Sequence, residues 1–538
     1  MTAGVPGTMD TSDRGVEGAA ASDAPTDVDA GNDDDTAAAT EAHSDAETAA
    51  RKPAAEPDWD RDAANPRNWP AWKKALQMVS VSSMAFVADT TRSSVATSIM
   101  SPARAQLMHE FGVGSTVALV PLALYVFALG FGPVMGGPLS ETLGRRPVYL
   151  CAMPLGALFT LGAGLARDFA ALCFLRFMAG FCWAPLLAVP SATIAETFEP
   201  RARGPVSAVF ILMPFLGPGL GYVRSESPVC RGEMLTGHRR PVMGSFVVSR
   251  KDWRWTQWTL LFAAVFCILV SPFFNGETFT PILRRRLAKQ RGEPVPPQTP
   301  LAARLGAFAR VGLVRPVHML LTEPIVAFLC LYVALNFGML FSFFAGVPYT
   351  FALVYGFSLE QSGLVFLAIV VGCLLGLLTV VLCDALIYRP KAARLPPNTL
   401  PPEHRLYPAM ISCAALPAGL FWFAWTARGG VSWASPAAAM VPFAWGNLCV
   451  FVSAIQYTTD TYQGSVVASA TSANNLARYG FAGAFPLFTI QMYRGLGVSW
   501  ATSLLGFVSL ALLPIPWVLF KFGPRIRAKS KYETVDYS

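Results

Sequence analysis

The stretch Gly137-Pro138-Leu139-Ser140-Glu141-Thr142-Leu143-Gly144-Arg145-Arg146-Pro147 is a short, glycine-flanked basic loop between two long apolar runs. Each run has about 20 residues, the length that a ~30 Å hydrocarbon core demands of a helix. Working outward, apolar runs recur near 75–99, 115–136, 147–167, 169–190, 206–221, 255–275, 325–349, 362–386, 407–426, 434–458, 472–493 and 499–521, which makes twelve. Loops on one side carry Arg145/Arg146, Arg201/Arg203, Arg284-Arg285-Arg286 with Lys289 and Arg291, Arg389/Lys391/Arg394, and Arg525/Arg527/Lys529/Lys531. Excess Lys and Arg mark the cytoplasmic side, so both termini are expected there; only the loop after the fifth run departs from the pattern. The basic loop at 276–320 splits the chain into halves at 65–275 and 321–522, as pseudo-symmetric repeats would require, with a cytoplasmic tail at 523–538. The expected fold is an all-α membrane protein of 12 transmembrane helices in two six-helix halves.

Composition agrees. Of 538 residues, 53% are hydrophobic and only 14% charged, with a mean hydropathy of +0.43, whereas a soluble protein carries roughly a quarter charged residues. Residues 1–70 hold 16 Asp/Glu against 5 Lys/Arg, a net −11 that leaves +19 for the remainder of a chain totalling +8. The pI of 9.0 therefore reflects topology-setting loops rather than nucleic-acid binding. Residues 1–64, rich in Ala, Asp, Thr and Glu, are expected to be a disordered acidic tail, because they cannot bury enough apolar surface to offset chain entropy. No cleavable signal peptide is expected, so the first span would insert itself. The Trp and Lys residues of Asn65-Pro66-Arg67-Asn68-Trp69-Pro70-Ala71-Trp72-Lys73-Lys74 suit an interfacial anchor. The ten cysteines include no C-x-x-C pair and read as small buried hydrophobes, and the five histidines never cluster, so no metal is expected.

Four motifs resemble the major facilitator superfamily, in particular its fungal-type drug:proton antiporters with twelve spans. The first is the loop above, with Glu141 as the usual acidic residue and Thr142 in place of the usual following Arg. The second, Arg176-Phe177-Met178-Ala179-Gly180 in the fourth span, looks like the intramembrane Arg motif that the family links to proton coupling. The third, Gly217-Pro218-Gly219-Leu220-Gly221, looks like the start of the antiporter motif of the fifth span. The fourth is a set of family-level segments: Asn-Pro-Arg-Asn-Trp-Pro at 65–70, Trp253-Arg254-Trp255, Glu277-Thr278, and Pro402-Glu403-His404-Arg405-Leu406-Tyr407. The resemblance spans about 65–535, is closest to polyamine and multidrug exporters, and says little about substrate.

In the family the fifth-span motif runs G-P-x-L-G-P-x-x-G. Here Tyr222 to Arg240 interrupts it, and removing those nineteen residues joins Gly217, Pro218 and Gly221 to Pro241 and Gly244 in the family pattern. The run 206–221 has 16 residues, ~24 Å as a helix and short of the core; joined to 241–249 it crosses. The insert carries Arg224, Glu226, Arg231, Glu233, His238, Arg239 and Arg240, and each charge costs about 2.5–3.5 kcal/mol at mid-bilayer, so it must loop out. Its ends can be encoded as an in-frame splice donor and acceptor. A retained intron, leaving this product non-functional, is one reading; a genuine lineage-specific external loop is the other.

Intramembrane ionisable groups are costly and are functional candidates by default. Arg176 is either a hydrogen-bond donor to neighbouring backbone or, as the resemblance implies, a coupling residue. Asp89 and Arg92 stand three residues apart in the first span and either neutralise each other or leave Asp89 to bind protons or a cationic substrate. Glu323 opens the seventh span and could face interface lipid or the cavity. Tyr332, Asn336 and the aromatics Phe337, Phe341, Phe343, Phe344 and Tyr349 either line a cavity or pack. Arg478, with Asn474 and Asn475, mirrors Arg176 in the other half. Gly137, Glu141, Gly144, Arg145 and Arg146 are expected to gate, with charge pairs holding the two halves in one conformation.

The sequence contains no Gly-Lys dipeptide and hence no P-loop lysine, so transport energy must come from an ion gradient. The leading reading is a proton-coupled antiporter exporting small cationic or amphipathic molecules such as drugs or polyamines by alternating access. A nutrient uptake symporter is the alternative within the same fold. A membrane enzyme would need clustered metal ligands or a nucleophile with its base. The expected partners are a small-molecule substrate, protons and the lipid bilayer, with no cofactor and no nucleic acid. A monomer is expected, multi-pass in the plasma membrane, with the vacuolar membrane as the alternative.

Overall fold

The apolar runs fold as helices that outlast them. The computed structural model describes residues 59–99, 102–199, 252–292, 314–394, 400–462 and 464–532, with a few isolated positions besides. In chain order the helices are α1 Ala71–Ile99, α2 Pro102–Phe111, α3 Val120–Leu129, α4 Gly132–Leu143, α5 Arg145–Leu165, α6 Phe169–Trp183, α7 Pro185–Thr197, α8 Arg254–Phe274 and α9 Thr280–Arg291. The second half continues with α10 Arg315–Thr322, α11 Pro324–Tyr355, α12 Leu359–Val365, α13 Leu367–Cys383, α14 Tyr407–Ser412, α15 Ala415–Thr426, α16 Ala434–Thr461, α17 Gly464–Leu512 and α18 Ile515–Arg527. Gly497, at φ 74°, divides α17 into two helices.

Among the described residues, eight stretches are long and apolar enough to cross a membrane, or nine when α3 with its preceding turn and α4 count as one span bent by 43°. Most of the apolar core is one continuous cluster running through both halves. The spanning window of α11 is 78% buried and that of α16 72%, against 28% for α8. The first two are therefore interior helices, and α8 turns Phe262, Phe266 and Phe273 outward to lipid.

Within the first half α3 and α5 pack on α6, α8 packs on α5 and α1, and α4 packs on α7. Within the second, α11 packs along α17, and α16 receives α13 and α15. The halves meet chiefly where α17 crosses α3 and α4. Absent side chains permit that crossing. A Cβ on Gly130 would stand 3.3 Å from Tyr479 Cβ, and one on Gly483 would stand 3.0 Å from the Ala123 carbonyl oxygen.

Four expectations change. The opening "loop" is mostly helix, since α4 continues to Leu143 through Pro138, and Gly144 alone makes the turn into α5. The long loop at 276–320 contains α9 and most of α10. Trp69 is no lipid anchor, because it is buried with Lys73 over its ring at 3.9 Å, and it fills the space a Cβ on Gly276 would need; Trp72, 66% exposed, has the anchor's position. Of the acidic tail expected over 1–64, the described end is ordered: Asp62 accepts from Ala64 N–H at 2.9 Å and pairs with Arg291 at 3.2 Å. The rest of that tail, the insertion at 222–240, and Gly217, Pro218, Gly221, Pro241 and Gly244 lie outside the described residues.

Candidate functional site

At the basic end of the first half, one turn decides the geometry. Gly144 sits at φ 101°, ψ 163°, a region essentially closed to other residues, and the space a Cβ would occupy holds the Glu277 carboxylate. That carboxylate accepts the backbone N–H groups of Arg145 at 2.9 Å and Arg146 at 3.2 Å. These are the unpaired donors of an α-helix N-terminus, where an anion is favoured. The Arg145 guanidinium, 4% exposed, reaches Glu196 on the last turn of α7 at 2.8 Å, bonds Ser140, and lies over the Phe279 ring at 5.0 Å. Thr278 donates to the other Glu196 oxygen at 2.7 Å. Arg146 donates to the Pro272 carbonyl at 3.1 Å. Glu141 is exposed and Gly137 faces open space, so neither joins this network.

The second half repeats the device. Arg405 donates from Nε to Asp460 on α16 at 2.7 Å, approaches Asp384 at 3.5 Å, and stacks 3.6 Å from the Tyr388 ring centroid. Arg389 holds Asp384 at 2.8 Å, and Glu403 pairs with Arg527. In one half the arginine precedes its helix-end acid by 51 residues, in the other by 55. Every one of these ion pairs joins helices of the same half. The described partners of Arg145 and Arg146 are the ends of α7 and α8, neighbours in the same half.

At the opposite end of the first half, Trp253 and Arg254 are tied to α2. Glu110 accepts from Arg254 Nη2 at 2.5 Å and from Trp253 Nε1 at 2.8 Å, while Gln106 accepts the Trp253 backbone N–H at 2.8 Å. Burial pushes the Glu110 carboxyl up, but hydrogen bonds from Arg254 and Trp253 and the Arg254 charge outweigh it and hold the group below the usual carboxylate range.

Among the described residues, Arg176 and Arg478 are buried within spanning helices. Arg176, 2% exposed, sits 6.0 Å from the Tyr125 ring centroid, and among the described residues neither terminal nitrogen has a hydrogen-bond partner. Tyr125 donates its hydroxyl to the Ala88 carbonyl at 2.7 Å, which brings the backbone of α1 just before Asp89 to the same ring. The side chains of Asp89 and Arg92 lie outside the described residues. Arg478 donates to Asn475 at 2.6 Å and stands within 4.7 Å of three ring centroids, those of Phe337, Phe451 and Tyr479. Asn336 is buried with both side-chain polar atoms unpartnered, though its carbonyl accepts from Asn447 at 2.8 Å. Tyr332 packs against Ala409 and Val450. The ring pairs Phe343–Phe443 (4.6 Å) and Phe341–Phe344 (5.4 Å) are packing contacts. Glu323 meets neither lipid nor a cavity; it binds the C-terminal tail.

Sequence reading overlooked Glu196 and Glu110. The signal for the first was present: an acid on the helix end about fifty residues after a loop arginine, once per half.

Helices that span, charge clamps inside each half and a smooth seam between halves define a multi-span membrane transporter. The chain belongs to the Major Facilitator Superfamily, whose sequence profile matches residues 83–226 and 240–486. That membership makes it a transporter rather than an enzyme. It is 36% identical over 91% of its length to the MFS-type transporter traF of Penicillium crustosum, covering 96% of that chain. It is 35% identical to polyamine transporter 4 of Saccharomyces cerevisiae (88% of this chain, 73% of that one), and 34% identical to the efflux pump FUB11 of Gibberella moniliformis (88% and 76%). The solved structure of the proton:xylose symporter XylE shares the fold, with a TM-score of 0.54 at 15% identity over 83% of this chain and 96% of that one.

Proposed function

We propose that the chain is a proton-coupled antiporter, acting as a monomer, that exports small cationic or amphipathic molecules by alternating access. The observation that carries this reading is Arg176, a buried cation whose terminal nitrogens have no hydrogen-bond partner among the described residues. A charge so placed costs several kcal/mol unless something neutralises it during the cycle. Asp89, the residue after Ala88, is the carboxylate whose backbone lies nearest that arginine's aromatic neighbour. A proton and a cationic substrate then compete for Asp89, and Arg176 favours the form in which the carboxylate is charged and ready to be claimed by either. Each half rocks as a clamped unit, with the seam between α17 and α3–α4 as its joint. The names of the polyamine transporter and the efflux pump among the relatives support this substrate class and direction.

The insertion reading is part of the same proposal: the family match breaks between 226 and 240, which supports taking 222–240 as additional to the fifth span. The test is uptake of spermidine and of an amphipathic dye into inside-out vesicles under an imposed proton gradient, for the chain as written and for one lacking Tyr222–Arg240. Gradient-driven uptake that disappears in Asp89→Asn is the expected result in at least one form. Uptake that ignores the gradient, or that survives Asp89→Asn, removes the coupling assignment.

A further inference from the structure

Glu323 stands at the N-cap of α11, 1% exposed. Its two carboxylate oxygens accept from the C-terminal tail: one from Ser530 Oγ at 2.8 Å, the other from the Lys531 backbone N–H at 2.9 Å. The next residue is held as well. Tyr532 donates its backbone N–H to Ser530 Oγ at 3.2 Å, its hydroxyl lies 2.7 Å from His318 Nδ1, and Arg315 lies over its ring at 5.4 Å. The Tyr532 ring packs onto the small apolar cluster of Met319, Val326, Tyr462 and Val466. Three consecutive tail residues thus dock where the central loop enters α11, and the Ser530 hydroxyl is the shared element, donor to Glu323 and acceptor from Tyr532.

The sequence around that hydroxyl is basic: Arg525, Arg527, Lys529 and Lys531 flank it within five residues. We propose that Ser530 is a phosphorylation site for an arginine/lysine-directed serine kinase, and that its phosphate keeps the tail off Glu323. In the reaction Ser530 Oγ forms a bond to the γ-phosphorus of MgATP, the bridging bond to the β-phosphate oxygen breaks, ADP leaves, and the hydroxyl proton is lost to the kinase's base. The product lacks the hydroxyl donor and carries about two negative charges at neutral pH. Docking would press that dianion against the buried Glu323 carboxylate, and Arg527, three residues before Ser530, is already paired with Glu403. The kinase captures the tail in its released form, and the phosphate then traps that form. ATP is cytosolic, so the physiological relevance rests on the reading that places this end in the cytoplasm.

The test uses the full chain purified in lipid nanodiscs, where both faces are open and neither transport nor orientation enters. It is incubated with MgATP and the catalytic subunit of an arginine-directed kinase, and mass spectrometry locates the phosphate. Brief chymotrypsin treatment then reads tail release through cleavage after Tyr532, whose ring is held against the apolar cluster while the tail is docked. Phosphate on Ser530 with cleavage accelerated about tenfold is expected. In the phosphorylated chain Glu323→Gln should slow cleavage several-fold, because the amide no longer repels the phosphate and can donate to it. A phosphate confined to other residues, cleavage unchanged by phosphorylation, or a phosphorylated chain indifferent to Glu323→Gln would each overturn the proposal. Transport assayed separately tests the antiporter reading, whose failure would leave this result standing.

Discussion

Replacing Gly144 by alanine isolates what one turn contributes to the clamp. At φ 101°, ψ 163° an L-residue is strained by about 1–3 kcal/mol. The new methyl also occupies the position of the Glu277 carboxylate, so that group must move away from the N–H donors it accepts at 2.9 Å and 3.2 Å. Losing one hydrogen bond to a charged acceptor costs about 1.5–3 kcal/mol. The two terms together give roughly 2.5–6 kcal/mol, a large share of any domain's stability. Gly137, seven residues earlier, supplies the control: it is helical, and nothing lies within 4 Å of an added Cβ. Gly137→Ala should therefore be neutral, or stabilising by up to about 1 kcal/mol. The assay is thermal inactivation of purified protein, read as the fraction remaining monodisperse after heating. Combining Gly144→Ala with Glu277→Ala should cost less than the two single effects summed, since the displaced group is gone while the backbone strain remains. Equal behaviour of the two alanine variants, or strict additivity of the double, would refute the reasoning.

Arg176→Leu should abolish gradient-driven transport yet leave thermal stability equal or higher, because it removes a buried charge whose terminal nitrogens have no hydrogen-bond partner among the described residues; loss of fold instead would mean Arg176 is structural. Arg405→Lys should lower stability by about 2 kcal/mol in the same heating assay, since a point charge cannot keep Asp460, Asp384 and the Tyr388 face together. Glu110 titrates below the ordinary carboxylate range in the folded chain, so its stabilisation is complete above the unfolded value and is lost as pH falls through the folded one. Stability curves of the native chain and Glu110→Gln should accordingly converge as pH is lowered from about 7 to 3.

The spanning helices were legible because burial in lipid demands continuous apolar length, and that demand is written residue by residue. What hydropathy could not show is where a helix stops. α4 runs to Leu143, α7 to Thr197 and α16 to Thr461, each past the end of its apolar run. Glu196 lies on such a polar extra turn, so the first-half clamp escaped a reading that equated the end of the apolar run with the start of a loop, whereas Asp384 and Asp460 stand out in the sequence as helix-end acids suited to locking a loop. The family-level segments were visible as patterns without their reasons, which are packing and pairing: Trp69 against Gly276, Arg254 on Glu110, Glu403 on Arg527. Arg176 was found from sequence because a lone cation among apolar residues is conspicuous. The placement of Glu323 was not, because its partner is 207 residues away in a tail without hydropathy signal.

The seam where α17 crosses α3 and α4 also bears on speed. There an added Cβ on Gly130 or Gly483 would meet the Tyr479 Cβ or the Ala123 carbonyl oxygen, the Gln491 amide donates to the Thr116 hydroxyl, and no ion pair stands among the described contacts. On the alternating-access cycle proposed above, surfaces of that kind would slide past one another without separating charges while each half keeps its shape. Evolutionary change has two independent dials on such a molecule. Substitutions at the clamps would alter whether a half persists, and on the proposed cycle added bulk at the seam would alter how often the halves exchange places.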